Sequence, residues 1–154
     1  MKKTIEVGEE APLFLLKDQD KAEHRLEEMR GNKVLLSFHP LAWTGVCAEQ
    51  MKSLELHWNE FEDLNTRPFG ISVDSSPTKL AWAKELGIEK LPLLSDFWPH
   101  GGYAEQLGLF KEDAGISQRA NVIIDENGKV AWVKVYDIPE LPDIQEVLDV
   151  LGEM

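Results

Sequence analysis

The sequence has one cysteine, Cys47. No disulfide can close within the chain, which excludes the cross-linked framework of a small secreted domain. It also lacks any apolar run approaching the roughly 20 residues that cross a bilayer. The opening "MKKTIEVGEEAPLF" follows its lysines directly with glutamates and holds no apolar signal segment. A cytoplasmic location, away from membranes, is therefore expected. Basic side chains are scarce: 16 Lys and Arg stand against 28 Asp and Glu, a formal charge of −12. A surface of that sign attracts neither nucleic acid nor an anionic membrane. There is no repeat, low-complexity tract or long linker. One domain over residues 1–154 is the expectation, long enough to bury a core without staples.

Metal-ligand spacing is absent as well. The four histidines, His24, His39, His57 and His100, show no such pattern and read as surface or packing residues. His57 falls ten residues after Cys47 within one helical pattern, about 15 Å along the axis, too far to act as its base. His39 lies close enough in sequence to tune the thiol, although a structural role is favoured for it.

What is present is an alternation of strand and helix patterns. "APLFLLKD" (11–18) reads as a strand and "RLEEMRGNK" as a helical turn stopped by Gly31. "VLLSF" (34–38) is an uninterrupted apolar run suited to a buried central strand. A helical pattern from about Gly45 to Leu64 puts Cys47, Met51, Leu54, Trp58 and Phe61 on one face. "FGISVD" reads as the next strand. "SPTKLAWAKELGI" reads as a helix with Ser76 at its N-cap, Pro77 at its first position and Gly87 at its exit. "LPLLSD" is a short strand, followed by a short helix near Tyr103–Leu107. "RANVIIDENGKVAWVKVY" is two strands about a tight turn, and the closing helix is capped by Asp143. Together these predict an α/β fold with a mixed central sheet flanked by helices. Trp58, Trp82 and Trp132 are assigned to the core, Trp43 and Trp98 to a substrate opening or a subunit contact.

The stretch "HPLAWTGVCAEQ" (39–50) carries the chemistry. A strand ending at Phe38 and a helix starting near Gly45 leave Cys47 in the first helical turn. Backbone N–H groups there are unpaired and favour an anion, which raises the thiolate fraction. Thr44 offers a hydroxyl to the sulfur or to an oxygen beside it, and Pro40 stiffens the entry. Taken alone, a lone cysteine on an apolar stripe is more often core filling than a nucleophile.

Pro40, Thr44 and Cys47 match the P-x-x-x-T-x-x-C motif, and with "VLLSFHPLAWTGVC", "LPLLSDFWPHGG" and "QRANVIIDENGKV" in order, the chain resembles the peroxiredoxins over nearly its whole length. The single cysteine and "SDFWPHG" are most similar to the one-cysteine alkyl hydroperoxide reductase E subgroup. The resemblance implies a thioredoxin-like fold with an N-terminal peroxiredoxin extension, and a thiol-dependent peroxidase that needs no cofactor. It implies that Cys47 is the peroxidatic nucleophile, oxidised to a sulfenic acid. By the same resemblance Thr44 orients thiolate and peroxide, and Arg119 supplies fixed positive charge. Pro40 shields the sulfur, and the N–H groups of Val46 and Cys47 act as donors, with Trp43 and Gln50 lining the substrate site. The expected partners are a peroxide, an external small thiol or a thioredoxin- or glutaredoxin-like reductant, and a second copy of the chain in a homodimer. Gln50 stands where the family commonly has glutamate, His39 where it commonly has an aromatic residue, and Leu107 where a tyrosine is frequent. A peroxide sensor using the same cysteine is the alternative from another class, and a degenerate scaffold the third reading.

Overall fold

The computed structural model describes residues 3–154. Its strands are β1 (Leu15–Lys17), β2 (Glu23–Arg25), β3 (Lys33–Phe38), β4 (Thr66–Ser72), β5 (Leu93–Ser95), β6 (Phe110–Lys111), β7 (Ile116–Ser117), β8 (Arg119–Ile124) and β9 (Val130–Tyr136). The helices are α1 (Gly45–Leu56), α2 (Trp58–Asp63), α3 (Ser76–Leu86), α4 (Gly102–Gln106) and α5 (Ile144–Gly152). Seven strands form one mixed sheet in the order β2-β1-β5-β4-β3-β8-β9, and β6 and β7 form a separate hairpin. The mostly apolar run Val34–Phe38 lies at the centre of the sheet. β3 pairs parallel to β4 and antiparallel to β8, and all six of its residues are buried.

Side-chain alternation along β3 and β8 builds two cores. Val34, Leu36 and Phe38, with Ala120, Val122 and Ile124, face a cluster closed by the N-terminal segment and α4. Leu35 and Ile123 face the other cluster, made by α1, α3 and α5. On that second side Met51, Leu54 and Phe61 are buried, each worth about 1.5–3 kcal/mol on leaving water. Close approach of α1 to β4 depends on Gly70. A Cβ there would run into the Met51 sulfur and stand 2.9 Å from Leu93 Cδ2.

Several element boundaries differ from the sequence expectation, each for a local reason. The helix anticipated over 45–64 breaks at His57 (φ −97°, ψ 17°), where the Ser53 carbonyl accepts both the His57 backbone N–H and, at 2.8 Å, its Nδ1. Phe61 nonetheless returns to the same buried face, whereas Trp58 is only half-buried. The cap of α3 is Ser75, not Ser76. The Ser75 hydroxyl accepts from Thr78 N–H at 3.4 Å, which places Pro77 second in the helix. Gly87 ends α3 in the left-handed conformation, and Asp143 caps α5 through Gln145 N–H at 2.9 Å, both as expected. The anticipated N-terminal strand shrinks to β1, because its ladder partners are short. β2 pairs with it over three residues and β5 over one. Glu23–Arg25 and the β6–β7 hairpin are too short and too polar to show a two-residue period.

One contact ties two crossovers together. The Glu55 carboxylate near the end of α1 accepts from the backbone N–H groups of Glu89 and Lys90 at 3.1 Å and of Leu91 at 2.8 Å, just before β5.

Candidate active site

The register of the central strands assembles the site. Ser37 pairs with Asn121 and Phe38 with Ala120, so Ser37 on β3 and Arg119 on β8 stand on the sheet face that α1 covers. Cys47 is the third residue of α1, completely buried on that face. Ala48 N–H makes the first helical bond, to Thr44 O at 2.9 Å. The N–H groups of Gly45, Val46 and Cys47 precede it and have no acceptor within the helix.

Arg119 is buried and each of its described contacts is specific. Its Nε donates to Ile138 O at 2.9 Å, and its Nη1 donates to Gln50 Oε1 at 2.6 Å and lies 3.5 Å from Cys47 Sγ. Gln50 in turn donates through Nε2 to Ser37 Oγ at 2.7 Å and to Phe38 O at 3.2 Å. An amide suits this position because it accepts from the arginine and donates to the strand at once; a carboxylate would set a second acceptor against the Phe38 carbonyl. Glu49, by contrast, points to solvent beside Lys52.

The remaining sequence candidates fall around this centre. Pro40 is buried and begins the loop into α1. Trp43 holds a left-handed backbone (φ 70°), rare for a large side chain, and is 54% exposed. Val46 is half-buried. Thr44 is the N-cap of α1, but its hydroxyl donates to Leu41 O at 2.8 Å instead of to the sulfur. Trp98 is 83% exposed, on a loop remote from these contacts in sequence. Among the described residues, no three His, Cys, Asp or Glu side chains gather closely enough to hold a metal ion.

Behind the thiol lies a polar chain that sequence reasoning missed. Lys79 on α3 is fully buried, with Nζ donating to Ser72 Oγ at 2.5 Å and standing 3.5 Å from His39 Nε2. Ser72 Oγ donates to Asp74 Oδ2 at 2.6 Å, and the same carboxylate oxygen accepts Ala42 N–H at 2.8 Å, inside the loop before α1. His39 Nδ1 faces Ser37 O at 3.4 Å. Burial, and then the neighbouring Lys79, hold the His39 ring well below its ordinary range, so it is neutral. Burial likewise brings the Lys79 amine down to about 7, against upward pulls from Asp74, Cys47 and Asp96. The one available signal was its position: Lys79, Trp82, Ala83 and Leu86 repeat at helical spacing, so this lysine occupies an apolar stripe.

The chain is similar to known proteins over nearly its whole length. Residues 7–133 match the AhpC/TSA family. The chain is similar to alkyl hydroperoxide reductase E of Mycobacterium bovis, 38% identical over 151 residues, covering 97% of this chain and 98% of the relative. It is also similar to peroxiredoxin-2 of Mus musculus, 34% identical over 93% of this chain and 76% of that one. Among solved structures, the reduced 2-Cys peroxiredoxin of Plasmodium vivax superposes with a TM-score of 0.87 at 32% identity, over 95% of this chain and 80% of the other. With this match, a thioredoxin-like sheet and a lone thiol at a helix start, the chain belongs to the AhpC/TSA family, the peroxiredoxins.

Proposed function

We propose that Cys47 is the nucleophile through which this thiol-dependent peroxidase reduces hydrogen peroxide or an organic hydroperoxide. The observation that carries the reading is the Arg119 Nη1 that lies 3.5 Å from the sulfur while Gln50 Oε1 fixes it at 2.6 Å. A guanidinium so held favours the anionic sulfur and the charge that develops on a cleaved peroxide. The thiolate attacks one peroxide oxygen, the O–O bond breaks, and the departing oxygen takes a proton to leave as water or alcohol. Cys47 is left as a sulfenic acid. One external thiol then displaces hydroxide, which leaves as water, to form a mixed disulfide, and a second thiol releases Cys47.

The supporting roles follow the same reading. The Val46 and Cys47 N–H groups donate to the peroxide, Pro40 excludes water from the sulfur, and Thr44 turns its hydroxyl from Leu41 O towards the reacting oxygens. Gln50 positions Arg119. Because Cys47 is fully buried, the peroxide enters past the Leu41–Thr44 loop, where Trp43 lines the opening. A small thiol or a thioredoxin- or glutaredoxin-like protein serves as reductant, since the chain has no second cysteine. A single domain over 1–154, a homodimer and a cytoplasmic location complete the proposal; for the last, no helix among the described residues is long and apolar enough to cross a membrane. Family membership supports turnover over a one-event sensor. Stopped-flow tryptophan fluorescence of the reduced protein with peroxide, followed by mass measurement, tests it. A rapid change that adds one oxygen and is lost in Cys47→Ser is expected; oxidation no faster than a free thiol would overturn it.

A further inference from the structure

A fully buried lysine demands an account, because taking an ammonium out of water is costly unless its partners compensate. Lys79 has partners that offset part of that cost, and their donor and acceptor roles are fixed by geometry. Ser37 O can only accept, so His39 Nδ1 must carry the proton that bonds to it. A neutral ring protonated there leaves Nε2 as an acceptor, and the atom facing it is Lys79 Nζ. Ser72 Oγ gives its own proton to the Asp74 carboxylate, so it too accepts from Lys79. The Lys79 nitrogen is thus the donor at the fork of two branches.

Both branches end at the site. One runs through Ser72 and Asp74 to Ala42 N–H and holds the Pro40–Thr44 loop. The other runs through His39 to residue 37, whose side chain accepts from Gln50, and Gln50 meets Arg119 beside Cys47. With Gln50 uncharged, the positive charge here is not offset by a neighbouring carboxylate at that position. The charged and titratable groups facing the amine are His39 at the end of β3, Asp74 after β4, Cys47 on α1 and Asp96 after β5, with Arg119 on β8 acting on His39.

We propose that Lys79 is a positioning residue of the peroxidase site: its ammonium tethers the Cys47 loop through Ser72 and Asp74, steadies the Gln50–Arg119 pair through His39, and adds a second positive charge behind the sulfur. This rests on Cys47 being the peroxidatic thiol. The coupling is reciprocal, since an ionised Cys47 pulls the Lys79 proton on and the ammonium in turn favours the thiolate.

The test compares wild type with Lys79→Met, following the ultraviolet absorbance of the thiolate against pH and the rate of reaction with hydrogen peroxide against pH. Cys47 is the only cysteine, so subtracting Cys47→Ser isolates its signal. The expected result is that the variant needs more alkaline solution to ionise and reacts about tenfold more slowly near neutrality, the size of a typical coupling between sites. The wild-type rate falls on the alkaline side, where Lys79 loses its proton, and the variant lacks that fall. Titration and rate curves of folded Lys79→Met that superimpose on wild type would overturn the proposal. Should Lys79→Met not fold, Ser72→Ala cuts the loop branch with a minimal change of volume. It should slow the reaction and alter the tryptophan fluorescence, and a Ser72→Ala variant identical to wild type in both would equally overturn the proposal. Failure of the underlying reading is distinct: wild-type Cys47 itself would then be oxidised no faster than a free thiol.

Discussion

Replacing Arg119 by methionine removes the guanidinium while keeping an unbranched chain in the same space. The charge now lies 3.5 Å from Cys47 Sγ. Coulomb's law at an effective dielectric of about 20 gives about 5 kcal/mol at that distance, an upper figure because neighbours relax when a charge is removed. Charge-assisted hydrogen bonds removed by mutation cost about 1.5–3 kcal/mol, the better guide here. About 2 kcal/mol corresponds to roughly a 30-fold loss in the rate of Cys47 with hydrogen peroxide near neutral pH. The assay is stopped-flow tryptophan fluorescence under excess peroxide, with the folded fraction checked by circular dichroism. A separate effect falls on stability. Gln50 Oε1 loses its 2.6 Å donor in a buried place, which costs about 1–3 kcal/mol, partly offset because a buried cation no longer needs compensation. A folded Arg119→Met that reacts within about threefold of wild type would refute the idea that this guanidinium stabilises the reacting sulfur.

Gly108→Ala should destabilise by about 2 kcal/mol or more in urea titration, because φ is 70° and the added Cβ would meet the Lys3 carbonyl. Asp143→Ala should cost about 1 kcal/mol by the same assay, through loss of the cap on Gln145 N–H, with peroxidase rate unchanged. Stability should also climb between about pH 7 and pH 10. Lys79 has a folded value of about 7 against an ordinary 10.5, so over that window the unfolded chain binds the extra proton and rising pH favours the fold. Denaturant midpoints measured across the window should flatten in Lys79→Met, and an equal slope in both proteins would contradict the burial-driven shift.

The parts of the molecule legible in the sequence are those where one strong pattern acts alone. Four of the five residues of Val34–Phe38 are apolar because the strand is covered on both faces, and the Asp125–Gly128 turn is fixed by its own residues. The Cys47 stretch could be read because proline, threonine and cysteine stand at fixed spacing within 12 residues. Arg119 was recoverable only by resemblance, since 72 residues separate it from the thiol and strand register brings them together. Thr44 shows the limit of motif reading: the hydroxyl is in the right place, but its proton goes to Leu41 O. Lys79 was obscured because lysine on a helix is ordinarily solvated, and only the surrounding apolar spacing marks it as internal. The short hairpins β1–β2 and β6–β7 run for only two or three residues per strand, too few for a local period to show.

The clasp between Glu55 and the backbone ahead of β5 gives α1 two unequal ends. Its far end is moored by a carboxylate that accepts three main-chain N–H groups, whereas its near end rests on a loop with a strained Trp43 and a cap whose hydroxyl faces away from the helix. Any rearrangement that uncovers the sealed sulfur to a bulky reductant must therefore peel from the first turns, like a door hung on the Glu55 side. The helix cannot slide or tilt as a rod without dragging the next crossover with it. Freeing that hinge, rather than trimming the doorway, would be the way to loosen the whole leaf.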